Sequence, residues 1–483
     1  MAVLTLSEIL IATDGTLVGS VENTNADSVF SGVSTDTRTI FEGNLFIALI
    51  GERFDGHNFC QTAQERGARG FIVSRAEAVP PGAIGILVAD TLSALLSVAQ
   101  CYRKKLNARV IAVTGSVGKT TTREMLAYAF SSIYRTHATK QNLNNEIGMS
   151  LTLLSAPVDT ELLIVEMGMR KRGEILALTK IAEPDIAIIT NAGVSHIERL
   201  GSRDEILRAK NEICEGIRDG GLLLVNGDDE RLPQYALSLE AKSFRIGVAT
   251  LDGKEENAGY DLFVAAKPGD TDGETTKFTA EIVTRDKNQK RIRRIDDYAV
   301  RGVGLHFVRN ALFAILCAVE LGADSERVKR GLLSYQPTGS RGKLIRTPRY
   351  LLYDDAYNAS PESMAAAFES IRILAKGRRT IAAIGGILEL GDHAESLHRE
   401  VGEAAGRHGI DKVFVCGEYA ESVKEGVLSV NPNAEVLLFA DRDALITSLL
   451  PALQPGDVVL AKGSHAFAMD AVIKAILERE ELT

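Results

Sequence analysis

Cysteine is scarce in this chain of 483 residues: Cys60, Cys101, Cys214, Cys317 and Cys416 are five in all, far apart and never at metal-ligand spacing. An odd, scattered set excludes a disulfide framework and a cysteine metal knuckle. It is the usage expected of reduced core residues in a cytoplasmic protein. Long apolar runs are missing as well. None approaches the ~18 residues of a bilayer crossing, so no membrane span is expected. No basic segment precedes the apolar residues of Met1-Ala-Val-Leu-Thr-Leu-Ser-Glu8, which argues against a secretory signal. A basic stripe is absent too, and the net charge is −9. Both observations argue against a nucleic-acid partner. An anionic substrate would have to be held by local basic residues and helix N-termini, against the overall field.

What is present is ordinary globular composition, 45% hydrophobic and 25% charged. At roughly 150 residues per domain the length predicts about three domains. The polar, basic stretch Tyr102-Arg-Lys-Lys-Leu-Asn107 sets a first boundary, and Tyr335-Gln-Pro-Thr-Gly-Ser340 a second, giving domains 1–107, 108–335 and 336–483. The first is an α/β region with loop-like stretches at 31–39 and 51–57. In the second, the runs at 162–166, 186–190 and 222–225 have the continuous apolar character of buried parallel strands. Residues 252–300 are charged and alternating (Lys277-Phe-Thr-Ala-Glu-Ile-Val283), which predicts solvent-facing antiparallel strands, and a helix is predicted over 308–321. Beyond 340, the runs at 350–354, 380–384, 412–416 and 457–461 alternate with helical patterns. That predicts a second doubly wound α/β unit, with Ser360 and Pro361 capping a helix that runs through Ile371. Gly302-Val-Gly304 lacks a third glycine at dinucleotide spacing and is expected to be a turn.

The chemistry is concentrated in Thr114-Gly-Ser-Val-Gly-Lys-Thr-Thr121. The apolar run Arg109-Val-Ile-Ala-Val113 precedes it, and Met125, Leu126, Ala129, Phe130 and Ile133 follow at helical spacing. Strand, glycine turn and helix N-terminus in that order form a phosphate-binding loop. Its amides at Gly115, Ser116, Val117, Gly118, Lys119, Thr120 and Thr121 can approach phosphate oxygens. Lys119 can neutralise the β/γ charge and Thr120 can ligate Mg²⁺. Val113 stands where the usual eight-residue pattern has its first glycine, so the loop is the compact form. Glu166 closes the next apolar strand. It reads either as a Mg²⁺ ligand beside the phosphates or as a solvent-facing strand-end carboxylate. Asn191 and His196 follow a further strand, His196 being either a ligand or a structural loop residue. Lys210 by itself reads as a solvated lysine on a helix.

Taken together, the 114–121 loop, Asn142-Leu-Asn-Asn-Glu-Ile-Gly148, Glu166-Met-Gly168, Thr190-Asn-Ala-Gly-Val-Ser-His196 and Asp354-Asp-Ala-Tyr-Asn-Ala-Ser-Pro361 fall in the order seen in Mur ligases. The resemblance runs from Gly32 to Ser464 and is most similar to the branch that joins D-alanyl-D-alanine to UDP-N-acetylmuramoyl-tripeptide. The Asp-Asn-Pro-Arg string of the sister enzyme adding the third residue is absent. Another ligase of that fold, or a folylpolyglutamate-type ligase, is the alternative. The resemblance implies a monomer with three domains: an N-terminal UDP-substrate domain, a central ATPase and a C-terminal Rossmann-like domain. It implies use of ATP and two Mg²⁺ ions. By resemblance, Lys119, Glu166, His196 and Lys210 are catalytic, and Thr120, Glu166, His196 and Lys210, the last as a CO₂-derived carbamate, support metal. Asn310, Arg341 and Asp355 would meet the nucleotide. Ser34, Asp36 and Arg38 would meet the UDP moiety, Asn142, Asn144 and Asn145 would line the peptide channel, and Tyr357 and Asn358 would lie by the dipeptide. The chain departs from the pattern at Phe307, where Asn is usual, at Gly386, where Asp is usual, and at His465, where Arg is frequent.

Overall fold

The computed structural model describes residues 2–19, 26–239, 243–251, 253, 260–285 and 291–481. The chain forms a mixed α/β protein with mostly parallel sheets, divided into two compact units. The first comprises Met1–Thr114, Phe130–Ile188 and Asn211–Leu223; the second comprises Gly115–Ala129, Ile189–Lys210 and Leu224–Thr483. Among the described residues no helix is long and apolar enough to cross a membrane.

In the first unit, a five-stranded sheet runs in the order Thr16–Gly19, Ile84–Leu87, Gly70–Val73, Leu45–Ile47 and Val33–Ser34. Its first pairing is antiparallel and the rest are parallel. The stretch at 31–39 is therefore less loop-like than expected, since it contributes strand residues at Ser31 and at Val33–Ser34 and a short 3-10 turn at Thr37–Thr39. The basic stretch at 102–107 also differs. Residues 102–105 are the last turn of the helix Thr91–Lys105, with Tyr102 and Arg103 buried. The Arg103 guanidinium donates to the carbonyls of Ala182 and Leu106, so its charge is solvated by backbone rather than by water. Strand Arg109–Thr114 pairs in parallel with Leu162–Glu166, which pairs in parallel with Thr136–Ala138. Leu162, Leu163, Ile164 and Val165 are all buried, which explains their unbroken apolar character.

Helix Lys119–Phe130, whose residues 119–129 open the second unit, ends before Ile133, whose amide closes a turn on the Phe130 carbonyl. Strand Arg245–Thr250 pairs in parallel with Leu262–Thr271, and Thr275–Arg285 and Arg291–Arg301 then add in antiparallel fashion. Phe278, Ala280 and Ile282 are buried and Lys277 is exposed, as the alternation predicts. Positions 252, 254–259 and 286–290 of that segment lie outside the described residues. The helix Leu305–Leu321 follows a turn at Gly302 and Gly304. A six-stranded sheet completes the unit in the order Lys343–Arg346, Leu351–Asp354, Val458–Lys462, Thr380–Gly385, Lys412–Cys416 and Glu435–Phe439, parallel except for the first pair. Ser360 caps the helix Pro361–Ala375 through a reciprocal capping box with Ser363. Cys60, Cys317 and Cys416 are buried, whereas Cys101 and Cys214 are half-buried; none of the five forms a disulfide.

Candidate phosphate-transfer site

The glycine loop spans 115–118, between strand Arg109–Thr114 and helix Lys119–Phe130. Its glycines are required by space. A Cβ on Gly115 (φ +147°) would lie 1.9 Å from the Thr190 hydroxyl oxygen, and one on Gly118 (φ +86°) 3.0 Å from Asn310 Oδ1. The loop is tied from within the second unit. Asn191 Oδ1 accepts from the amides of Ser116 and Val117, each at 2.8 Å. Thr190 donates to the Val117 carbonyl at 2.5 Å, and Lys119 Nζ donates to the Gly115 carbonyl at 2.7 Å. The amides of Ser116 and Val117 thus serve Asn191 here, where the sequence alone presents them to phosphate. Thr120 is buried and Thr121 half-buried.

Lys210 overturns its reading as a solvated lysine: at 1% exposure it is among the most buried side chains of the chain. Burial drives its ammonium well below the ordinary lysine value, and Lys119 adds to that, while Glu362 opposes it. Glu362, in the first turn of helix Pro361–Ala375, accepts from the Val194 amide at 2.9 Å through Oε1. Its Oε2 is buried and has no hydrogen-bond partner among the described residues. His196 lies 2.5 Å, through Nδ1, from Glu389 Oε2. Burial, aided by Lys119 and Lys210 and opposed by Glu389, lowers its pKa and favours the neutral ring. The second unit therefore assembles Lys119, His196 and Lys210 with two carboxylates, Glu362 and Glu389, that sequence reasoning missed. Glu362 looks like an ordinary acid at a helix start. Glu389 lies four residues past the end of strand Thr380–Gly385, beyond the strand-end position that singled out Glu166.

A second group in that unit surrounds Asp355. Lys462 Nζ is 2.5 Å from Asp355 Oδ2 and donates to the Asn358 carbonyl at 3.0 Å. The Arg341 guanidinium stacks 3.6 Å above the Tyr357 ring. His465 packs edge-on against Tyr357, its amide donating to Asn358 Oδ1. Asn310 is buried beside Gly118. Phe307 is buried as well, its ring filling the space over Gly302 and near Tyr335, so the position usually held by Asn serves as core. An open pocket lined by Asp228, Thr250, Leu251, Leu305 and Arg309 lies beside this helix.

The first unit holds the remaining candidates. Glu166, buried, sits opposite Val113 in the parallel register and accepts from Asn144 Nδ2 at 2.9 Å, its own amide donating to the Thr139 hydroxyl. Asn145 caps helix Glu146–Ser155 through the Gly148 amide, so its side chain oxygen has a structural partner, and Asn142 is exposed. Ser34 is buried and bonded to the Asp36 carbonyl, while Asp36 forks onto the exposed Arg38 guanidinium.

A glycine loop between a parallel strand and a helix, with a buried lysine and a neutral histidine electrostatically coupled to the loop lysine, defines an α/β protein that handles nucleotide phosphates. Comparison with known proteins narrows this. Three family models match: "Mur ligase family, catalytic domain" over residues 29–127, "Mur ligase middle domain" over 113–318, and "Mur ligase, glutamate ligase domain" over 340–465. The chain is 37% identical to the UDP-N-acetylmuramoyl-tripeptide–D-alanyl-D-alanine ligase of Bacillus subtilis, covering 93% of this chain and 94% of that protein. It is 33% identical to the protein of the same name in Escherichia coli, covering 99% of each. The crystal structure of MurF from Acinetobacter baumannii superposes with a TM-score of 0.83 at 27% identity, covering 99% of each chain. MurF ligase from Thermotoga maritima in complex with ADP gives 0.75 at 25% identity, covering 93% of this chain and 98% of that one. The chain belongs to the Mur ligase family.

Proposed function

We propose that this protein joins D-alanyl-D-alanine to UDP-N-acetylmuramoyl-tripeptide, converting ATP to ADP and phosphate. An oxygen of the tripeptide's terminal carboxylate attacks the γ-phosphorus, and the bond to the β-phosphate bridging oxygen breaks as ADP leaves. The amine of the dipeptide then attacks the acyl carbon, losing a proton as the amide forms and phosphate departs. Both reacting partners of the first step are anionic, so charge neutralisation is the main task.

The observation that carries this reading is Lys210, fully buried and electrostatically coupled to both Lys119 and His196. A buried lysine driven toward its neutral amine is the form that adds CO₂, becoming an oxygen-bearing anion. Lys119 neutralises the β/γ-phosphates, with Gly115, Ser116, Val117, Gly118, Thr120 and Thr121 forming the cradle once Asn191 releases its amides. Asn310 and the pocket beside Arg309 receive the nucleoside, and Arg341 and Asp355 approach its phosphates. Mg²⁺ takes oxygen ligands and is commonly held by one or two carboxylates plus substrate phosphates. From the family resemblance we assign Thr120, Glu166, His196 and carbamylated Lys210 to two such ions; among the described residues no group of three or more His, Cys, Asp or Glu forms a cage of its own. Bound Mg²⁺ would offset phosphoryl charge. Ser34, Asp36 and Arg38 hold the UDP moiety, Asn142, Asn144 and Asn145 border the peptide, and Tyr357 and Asn358 border the dipeptide.

Three domains at 1–107, 108–335 and 336–483, a monomeric state and a cytoplasmic location, the last supported by five cysteines outside any disulfide, belong to the same proposal. The test is the mass of the product made from ATP, UDP-N-acetylmuramoyl-tripeptide and D-alanyl-D-alanine. A pentapeptide is expected. Efficient use of L-lysine or glutamate as the amine, with the corresponding acceptor, would overturn the assignment.

A further inference from the structure

Glu389 is absent from every role assigned above. It sits on the turn 386–391, between strand Thr380–Gly385 and helix Ala394–Arg407. Its φ is +62°, and that of His196 is +66°. Left-handed backbone is costly for residues with a Cβ, and it persists where the surroundings enforce it, characteristically at functional sites. Here two such residues, 193 positions apart, meet at 2.5 Å through Glu389 Oε2 and His196 Nδ1. The contact is not a lone ion pair. Glu389 Oε1 is 3.6 Å from Arg199 Nη2, and the Glu389 carbonyl accepts from the Glu198 amide at 3.3 Å. One residue thus holds three positions of the short segment that carries His196.

The turn is itself fixed from behind. The Ile387 amide donates to His398 Nε2 at 3.0 Å, the Leu388 amide to the Ser464 hydroxyl at 3.0 Å, and the Ser464 amide to the Gly386 carbonyl at 3.0 Å. The Phe467 ring fills the remaining space: a Cβ on Gly386 would come within 2.9 Å of it. This gives the departure at Gly386 a physical reason, because an aspartate there would collide with Phe467.

The geometry points to Glu389 as the positioning residue of His196: its carboxylate accepts the Nδ1 proton and fixes the tautomer whose Nε2 lone pair is the free donor. A ring nitrogen serves as a ligand or acceptor only in the tautomer that leaves it unprotonated, and the partner of the other nitrogen selects that tautomer. The inference rests on the proposed role of His196 in phosphoryl transfer.

The experiment records imidazole nitrogen resonances of full-length protein carrying isotope-labelled histidine, without nucleotide and at mildly alkaline pH. His196 is assigned by its loss in His196→Gln. The wild type is expected to show the Nδ1–H tautomer at His196. Glu389→Ala is expected to move it to a mixture dominated by Nε2–H, and Glu389→Gln, whose amide oxygen still accepts, to retain Nδ1–H. In the ligase reaction Glu389→Ala is expected to lower kcat roughly 10–100-fold with KM for the dipeptide unchanged, and Glu389→Gln to recover most of the loss. An unchanged tautomer in Glu389→Ala, or an unchanged kcat, overturns the proposal. The expected tautomer shift in a protein that makes no pentapeptide supports it and overturns the ligase reading instead.

Discussion

Replacing Asp355 with alanine is expected to destabilise the C-terminal sheet far more than replacing its partner Lys462 with methionine. The Lys462 side chain is 2% exposed, and the Asp355 side chain is 21% exposed. Lys462 Nζ lies near Asp355 Oδ2 and the carbonyls of Asp355 and Asn358, so each ammonium proton has an acceptor. Removing the carboxylate strands a buried cation on two neutral carbonyls, a change that typically costs about 3–5 kcal/mol. Because Asp355 keeps some access to water, the lower end, about 3 kcal/mol, is the expected value. Methionine at 462 preserves the packed stem and leaves a carboxylate that can draw on water and on Arg341, so its cost should stay below about 1.5 kcal/mol. Burial pushes the Asp355 carboxyl upward despite Lys462, which means the intact pair contributes little net stability. The double variant should accordingly lie close to Lys462→Met. Native-state hydrogen exchange at the amides of strands Leu351–Asp354 and Val458–Lys462 reads this locally and avoids assuming two-state unfolding of the whole chain. Equal losses in the two single variants, or a double variant as weak as Asp355→Ala, would refute the reasoning.

Two other outcomes follow from the site. Lys210→Ala is expected to lower ligase turnover roughly 10²-fold, with partial rescue by formate or another short carboxylate, and removal of CO₂ should depress the wild type; indifference to both would remove the carbamate. Asp228 is half-buried, and that burial raises its pKa, but hydrogen bonds from Thr250 and Arg309 and the Leu251 amide, with the Arg309 charge, outweigh it and hold the group below the usual carboxylate value. A folded-state pKa below the unfolded one contributes stability above the unfolded value of about 3.9, lost as pH falls through the lower folded value. The melting-temperature gap between wild type and Asp228→Asn should therefore be open at neutral pH and close in acid, and a gap independent of pH would contradict the assignment.

Much of the fold was legible because burial writes itself into short windows. Residues 162–165 are apolar throughout because both faces of a parallel strand are covered, 277–283 alternates because one face is solvated, and Ser360 with Pro361 announces a helix start. What was not legible depends on partners far along the chain. The run at 102–107 looks like a solvated linker, yet Arg103 finds its carbonyl acceptor 79 positions away at Ala182. Lys210 has the local pattern of a surface lysine, and only the packed unit shows it to be buried. Asn191 reads from the sequence as a residue following a strand, but its grip on the Ser116 and Val117 amides is a matter of geometry. Glu389 reaches His196 across 193 positions, a distance over which local pattern carries no information.

The central claim is that the glycine loop delivers a phosphoryl group to a carboxylate. The direct measurement labels the terminal carboxylate of UDP-N-acetylmuramoyl-tripeptide with heavy oxygen and follows the label by mass spectrometry during turnover with ATP and D-alanyl-D-alanine. Attack of carboxylate oxygen on the γ-phosphorus predicts one labelled oxygen in the released phosphate, in step with pentapeptide formed. Unlabelled phosphate, or phosphate released without the dipeptide at an undiminished rate, would contradict the account.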